Sequence, residues 1–242
     1  MWSKWRKYSA RYGYVHAAVR FAGSKAPIVW HTLGPSVSIK YRESWLNSPG
    51  HKVINLGGGG HVSEDFLTVD IDPRADSYVD LTKRLPFKDG SIDAVFCEEA
   101  IEHIDKIQGF AMLVECARIL KPGGAIRIIT PDLDWFSARL LDGSIECDAI
   151  NKIFFDHGHK YIYSRHELSN ALTEAGFVFI RNSSYKDPKS KLGFLDSHPQ
   201  RFNHPPEISQ YVDAQRPESR LNCLSSTTLA QRYEVDPSLK SP

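Results

Sequence analysis

The chain has 242 residues, 41% of them hydrophobic and 24% charged, which is typical of a folded globular protein and excludes wholesale disorder. This length suits one α/β domain with appendages. No apolar run approaches the roughly 20 residues that span a bilayer, and the N-terminus lacks the apolar core of a secretory signal, so we expect a cytoplasmic protein. The four cysteines are far apart without a CxxC spacing, which predicts reduced thiols rather than a zinc knuckle or a disulfide framework.

The charge is unevenly distributed along the chain. Residues 1–50 contain eight basic residues and one acidic residue, a formal charge of +7, and the remainder carries −6. We therefore predict a basic, aromatic N-terminal extension over this segment. It either contacts an anionic partner, such as a membrane surface, a nucleic acid or a phosphorylated substrate, or forms a solvated helix face whose aromatic side chains pack on the domain. Pro27 and the Gly34-Pro35 pair interrupt its periodicity, and only a short helix over residues 40–46 is predicted.

A glycine run follows the first predicted strand. Residues 52–56 end in four consecutive glycines, residues 57–60, and a second apolar strand over residues 67–71 contains Asp70. Without Cβ atoms the loop can adopt positive φ and approach a ligand closely, and an acid on the neighbouring strand can accept both hydroxyls of a ribose. These features predict a nucleoside-binding crevice, although a glycine run alone is also typical of a flexible turn. The link of ten residues is short for a parallel crossover, so either its helix is reduced to about one turn or the two strands are not paired.

Strands and helices alternate along the rest of the chain. Ser164 and Glu167 form a capping box at the start of one helix. A polar loop before the last strand is either a lid or a mobile insertion, and residues 218–242 are predicted to be a loosely ordered tail. The predicted strands are residues 76–81, 92–97, 125–130, 177–180 and 208–214, and the predicted helices are residues 107–120, 134–156 and 164–175, with residues 121–124 ending the first helix.

Five blocks in order, VINLGGGG, LTVDIDP, LPFKDGSIDAVFCEEAIEHI, ARILKPGGAIRIITPD and SRHELSNALTEAGF, carry a family resemblance. Together they resemble the class I S-adenosylmethionine-dependent methyltransferases, and most closely a small bacterial branch associated with surface-polysaccharide clusters. The resemblance covers about residues 50–215. It implies an α/β, Rossmann-like doubly wound fold in a domain over residues 51–217, with helices on both faces of a seven-stranded sheet. That sheet would be mostly parallel, with an antiparallel last strand over residues 208–214.

The resemblance also implies S-adenosylmethionine as cofactor and a set of residues that bind it. The glycines would lie under the methionine part of the cofactor, one acid would hold the ribose, and a second acid would meet the adenine. Two departures from the family pattern are His61, which replaces the third glycine, and Asn55, which replaces the first-motif acid. The implied cofactor-binding residues are Asn55, Gly57, Gly58, Gly59, Asp70, Ile71, Asp80, Leu81, Glu98 and Glu99.

Methyl transfer is an in-line displacement, and a hydroxyl acceptor also needs a base to remove its proton. His103, His159 and Asp132 are the candidate catalytic residues, because each follows a strand or lies in a loop on the acceptor side. We expect O-methylation of a sugar, a nucleotide sugar or another small-molecule precursor. An amine acceptor would depend less on a base, and a nucleic-acid acceptor is disfavoured because the basic residues are concentrated in the extension.

Three alternatives remain at this point. His157 and His159 form an HxH pair, but no third ligand stands at a diagnostic spacing, so no metal site is predicted. An NAD-dependent oxidoreductase requires GxGxxG, and Val62 occupies the third glycine position. Finally, the chain could bind the cofactor without catalysing a reaction and present its basic extension to another protein or a membrane.

Overall fold

The computed structural model describes residue 6, residues 9–202 and residues 204–218, which are built around a seven-stranded sheet. The strand order is β3-β2-β1-β4-β5-β7-β6. Short apolar runs that end in turns form its central strands, as is typical of strands buried on both faces. The strands are β1 (Val53–Leu56), β2 (Leu67–Asp70), β3 (Ser77–Tyr78), β4 (Ile92–Glu98), β5 (Leu120–Pro131), β6 (Val178–Ser183) and β7 (Ser209–Gln215).

The predicted sheet topology is confirmed. Strands β3, β2, β1, β4 and β5 pair in parallel, and β7 is antiparallel to both β5 and β6. The last strand of the chain is therefore the reversed one, and it lies between β5 and β6 rather than at the sheet edge. This topology brings the carboxyl ends of β1, β2, β4 and β5 to one edge of the sheet, where ligands of open α/β sheets bind.

The larger hydrophobic core lies on one face of the sheet. Buried side chains of β1, β4 and β5 pack there against apolar side chains of two helices, and partly buried side chains of a third helix complete the layer. The helices of the described residues are α1 (Tyr14–Gly23), α2 (Pro27–Asn47), α3 (Lys106–Ile119), α4 (Leu133–Leu141), α5 (Cys147–Phe155) and α6 (Arg165–Glu174), of which α2, α3 and α6 contribute to this core.

A smaller core lies on the opposite face, where a loop supplies several of the packing side chains. Leu192 and Leu195, from the segment between β6 and β7, pack against Phe96 of β4 and Tyr211 of β7. We call residues 184–208 the β6–β7 insertion. The buried Arg127 of β5 fixes it, since its guanidinium contacts Asp196 Oδ1 at 2.6 Å and Asp213 Oδ1 at 2.9 Å.

The short link between β1 and β2 contains turns but no helix. The two strands nevertheless pair in parallel, with Ile54 opposite Leu67, so neither of the two alternatives drawn from the link length is correct. Thr68 helps to close the link, since its hydroxyl donates to the carbonyl of His61. A polar loop that is closed by this hydrogen bond takes the place of the usual crossover helix.

Two other element predictions were wrong. Helix α3 ends just before residues 121–124, as predicted, but β5 begins at Leu120 rather than at residue 125, because Gly123 N donates to Arg216 O at 3.0 Å and continues the pairing with the chain after β7. The single helix predicted over residues 134–156 is two helices. Asp142 and Gly143 separate them, with Gly143 at φ +76 and Ser144 N donating to Asp142 Oδ1 at 2.8 Å, which is a turn that the sequence signals.

The N-terminal extension was the largest error in the secondary-structure prediction. Where only a short helix over residues 40–46 was predicted, α2 runs for 21 residues and passes through Pro35. A proline inside a helix costs about 3 kcal/mol, and tertiary contacts on the same helix offset this. Trp30 is fully buried, Ser38 Oγ accepts from Tyr78 N at 2.8 Å, and Arg42 Nη1 donates to Ser77 Oγ at 3.0 Å.

Several basic and aromatic residues of the extension pack on the domain. Arg20 Nε donates to Pro73 O at 3.0 Å, and the buried Tyr12 hydroxyl donates to Asp76 Oδ1 at 2.5 Å. Contact with an anionic partner stays a prediction. The exposed apolar side chains on α1 and α2 include Tyr14, Phe21, Ile28 and Ile39.

None of the helices in the described part of the chain combines the length and the apolar character that a membrane crossing requires. The predicted tail falls almost entirely on residues 219–242, which lie outside the described residues, as does Cys223.

Candidate cofactor and acceptor site

The glycine loop after β1 lies so close to its neighbours that it has no room for side chains at two positions. Gly57 has φ +66, and a Cβ on it would lie 2.4 Å from the Cβ of Ala100. A Cβ on Gly58 would lie 2.2 Å from Asn55 Nδ2. Both positions therefore require glycine, and the loop presents bare backbone at the carboxyl edge of the sheet.

Asp70 lies beside this loop, as predicted. Its Oδ2 accepts from Gly59 N at 2.7 Å and its Oδ1 accepts from Asp72 N at 2.9 Å, which fixes the carboxylate between the ends of β1 and β2. The next residue, Ile71, has 46% of its surface exposed. An acid at this position can accept ribose hydroxyls, and an exposed apolar side chain beside it can pack on a base.

The predicted adenine-side residues also come to this edge. Asp80 Oδ1 accepts from the backbone nitrogen of Thr82 at 2.9 Å and from its hydroxyl at 2.7 Å. The Cδ1 of Leu81 lies 3.4 Å from the position of a Cβ on Gly57. Leu81 therefore forms one wall of the glycine loop.

Asn55 has a different environment from the acid that it replaces. It is fully buried, and neither its Oδ1 nor its Nδ2 has a hydrogen-bond partner among the described residues. An unpaired buried amide is unusual and calls for a polar partner. The bare glycine backbone, the fixed Asp70 and this amide together fit a nucleoside-containing cofactor.

Glu98, the last residue of β4, is covered by the β6–β7 insertion. Ser197 N donates to Oε1 at 2.9 Å, the Ser197 hydroxyl donates to Oε2, and His198 Nδ1 lies 3.1 Å from Oε1. Burial raises the pKa of Glu98, but these hydrogen bonds outweigh burial and lower it. The side chain thus holds the insertion against β4, which is a contact that the sequence did not predict.

Arg201 extends from the same insertion over the glycine loop. Its Nη2 donates to Gly58 O at 2.5 Å, and its Nη1 lies 3.9 Å from Glu98 Oε2. Neither Arg201 nor its neighbours His198 and His204 were predicted from the sequence. The sequence feature that could have identified them is the short run SHPQRFNH, which is dense in basic and imidazole side chains.

Two of the three predicted catalytic residues lie together beyond β4. The rings of His103 and His159 are edge-to-face, with centroids 4.8 Å apart. Next to them Glu102 is fully buried, with Oε2 accepting from the Thr130 hydroxyl at 2.8 Å and Oε1 4.0 Å from His159 Nε2. Burial lowers the pKa of His159 to about 4 and raises the pKa of Glu102. Near neutral pH His159 is therefore an uncharged imidazole, the form that accepts a proton.

Asp132, the third candidate, follows β5 and contacts two helices. It is fully buried and caps α4, with Oδ1 accepting from Asp134 N at 3.0 Å. Its Oδ2 accepts from Arg165 Nε at 2.7 Å, which ties the end of β5 to the start of α6.

Comparison with known proteins finds a match to part of the chain. Residues 62–128 match the family model described as a methyltransferase domain, a range that begins just after the glycine loop and ends within β5. Over this range the chain is similar to a methyltransferase domain, as the five sequence blocks predict. S-adenosylmethionine is the cofactor that this resemblance predicts. Association with surface-polysaccharide synthesis stays a prediction.

Curated proteins similar to this chain include ubiquinone biosynthesis O-methyltransferases of Xanthomonas campestris and Xanthomonas oryzae. Each is 30% identical over 135 residues, an alignment that covers 45% of this chain and 53% of the relative. The chain therefore spans about half the length of the curated relatives it matches. A solved S-adenosylmethionine-dependent methyltransferase from Archaeoglobus fulgidus aligns with a TM-score of 0.49 and 16% identity, over 74% of this chain and 93% of that one.

Proposed function

We propose that this protein transfers the methyl group of S-adenosylmethionine to a hydroxyl oxygen of a small molecule, such as a sugar or a nucleotide sugar. The observation that carries the proposal is that a cofactor site and a possible base lie at the same edge of the sheet. The glycine loop with Asp70 fits the cofactor, and the Glu102–His159 pair lies beyond the adjacent strand, where an acceptor would enter.

The chain offers a contact for each part of the cofactor. Asp70 would accept the ribose hydroxyls, and Ile71 and Leu81 would pack on the adenine. Arg201, a cation already hydrogen-bonded to the glycine loop, would attract the carboxylate of the methionine part. When bound, the cofactor supplies an electrophilic methyl group on a sulfonium.

On the acceptor side, the neutral imidazole of His159 would remove the hydroxyl proton as the oxygen attacks. Glu102, 4.0 Å from His159 Nε2, would stabilise the imidazolium that forms. His103, in edge contact with His159, would orient that ring. A base on the acceptor side favours a hydroxyl acceptor, because an amine acceptor depends less on proton removal. The relatives named as O-methyltransferases support the same choice. The sugar acceptor follows from the family resemblance alone.

The test is an assay of S-adenosylhomocysteine release with a panel of nucleotide sugars and other hydroxyl-bearing acceptors. We expect turnover with at least one acceptor, and a fall in kcat of about 10²–10⁴ in the double variant His103→Ala/His159→Ala. His166→Ala, an exposed histidine on α6, is the matched control. Unchanged turnover in the double variant would refute the base assignment.

Two other functions give different results in the same assay. A catalytically silent protein would bind S-adenosylmethionine and release no product with any acceptor. A nicotinamide-dependent oxidoreductase would bind NAD in preference to S-adenosylmethionine.

A further inference from the structure

The β6–β7 insertion brings two histidines to a glutamate at the end of β4. Glu99, His198 and His204 each offer one ligand atom, and these atoms all lie within 4.8 Å of one another. His198 Nε2 is 3.6 Å from Glu99 Oε1. Around a zinc ion with ligands at about 2.0–2.1 Å, tetrahedral ligand atoms are about 3.4 Å apart. The side chains therefore need only small rotations to bind one cation.

The orientation of His198 is typical of a metal ligand. Its Nδ1 lies 3.1 Å from Glu98 Oε1, so this nitrogen carries the proton and donates to the carboxylate. The lone pair is then on Nε2, which faces Glu99 and has no hydrogen-bond partner among the described residues. The His198 side chain is fully buried, and a buried polar atom without a partner costs about 1–3 kcal/mol. A cation at Nε2 would remove that cost.

The other two side chains are held in a similar way. His204 Nδ1 lies 3.3 Å from the carbonyl oxygen of Pro205, which leaves Nε2 as the nitrogen able to bind a cation. Glu99 Oε1 accepts from the Ser209 hydroxyl at 2.8 Å. Each proposed ligand is thus fixed by a neighbouring group, as ligands in metal sites are.

The surrounding charge favours a cation. Three carboxyl groups, from Glu98, Glu99 and Glu102, are buried in this region, and they outnumber the neighbouring guanidinium of Arg201, which lies 3.9 Å from Glu98 Oε2. Two imidazoles and one carboxylate suit zinc and other divalent first-row transition metals, whereas magnesium prefers a set of oxygen ligands.

We propose that Glu99, His198 and His204 form a binding site for a single divalent transition-metal ion. With three protein ligands, the ion has at least one coordination position open to water or to an oxygen of a bound molecule. The prediction of no metal site considered only the HxH pair and its sequence spacing, whereas these ligands are 99 and 6 residues apart along the chain. The proposal does not depend on methyl transfer.

The test is calorimetric titration of the untagged, chelator-treated full chain with zinc chloride and, separately, with magnesium chloride. We expect one equivalent of zinc to bind with micromolar or better affinity, and magnesium not to bind at this site. In His204→Ala and Glu99→Gln the zinc affinity should fall at least about 100-fold, while His166→Ala should bind as the wild type does. Circular dichroism would confirm that each variant is folded. His204→Ala is the deciding variant, because its side chain is only partly buried.

A second measurement identifies the ligands. Cobalt(II) should give a visible absorption band typical of four or five ligands, and His204→Ala should weaken or remove it. A second group, Glu102, His103 and His159, could also hold an ion. The proposal is wrong if zinc does not bind, if binding is unchanged in His204→Ala and Glu99→Gln, or if only His103→Ala/His159→Ala abolishes it.

Discussion

Replacing Gly57 by alanine tests whether the glycine loop is a cofactor cradle. A Cβ there would lie 2.4 Å from Ala100 Cβ, whereas ordinary contacts begin at 3.4 Å, so the loop or Ala100 must move by about 1 Å. Overpacking of this kind typically costs about 1–3 kcal/mol. The residue also has φ +66, and a left-handed conformation costs a non-glycine residue about 1–2 kcal/mol more.

We expect Gly57→Ala to lower the free energy of unfolding by about 2–5 kcal/mol and to weaken S-adenosylmethionine binding at least about tenfold. Urea denaturation and calorimetry measure the two effects. Gly143→Ala is the control for backbone strain alone, because Gly143 has φ +76 and nothing within 4 Å of its Cβ position.

The double variant Gly57→Ala/Ala100→Gly separates contact from strain. Removing the Ala100 Cβ removes the nearest atom, so the double variant should recover most of the lost affinity while keeping the cost of positive φ. If Gly57→Ala bound S-adenosylmethionine as tightly as the wild type, the glycine loop would not be a cofactor cradle. If adding Ala100→Gly did not restore binding, the contact between the new Cβ and Ala100 would not be the cause of the lost affinity.

Two further predictions concern stability. Burial lowers the pKa of His16 to about 4, with the charges of Arg20 and Arg42 adding to the effect, so between pH 6.5 and 4 the unfolded chain binds more protons and stability falls as the pH falls. Wild-type protein should lose about 2.5 kcal/mol more than His16→Phe between pH 7.5 and 4.5 in urea denaturation, and equal losses would contradict this reading. Arg127→Met leaves the buried Asp196 without its cation and should cost about 3–5 kcal/mol, whereas Arg181→Met, at a partly exposed ion pair, should cost less than about 1 kcal/mol; similar costs would refute the assigned role of Arg127.

The sheet could be predicted from the sequence because its signals are local. Apolar runs that stop at Gly57, Asp70 and Glu98 mark the carboxyl ends of three neighbouring strands, and parallel pairing then brings these ends together. The same reasoning placed Asp70 beside the glycine loop, as the structure does.

The features that were missed depend on tertiary contacts. Helix α2 continues through Pro35 because buried Trp30 and Arg42 hold it against the domain, and no periodicity reports such contacts. The cluster of Glu99, His198 and His204 joins β4 to an insertion about one hundred residues later. Asp132 follows a strand, as a catalytic residue often does, but its ion pair with Arg165 is set by the packing of α6.

Calorimetric titration with S-adenosylmethionine and, separately, with NAD tests the central claim most directly. The wild-type protein should bind S-adenosylmethionine and not NAD. Asp70→Ala should weaken that binding about 10–100-fold, because a charged acceptor contributes about 1.5–3 kcal/mol to its hydrogen bonds, and Asp89→Ala, at an exposed acid, should not change it. Absence of S-adenosylmethionine binding in the wild type, or equal binding in Asp70→Ala, would contradict the assignment of this sheet edge as the cofactor site.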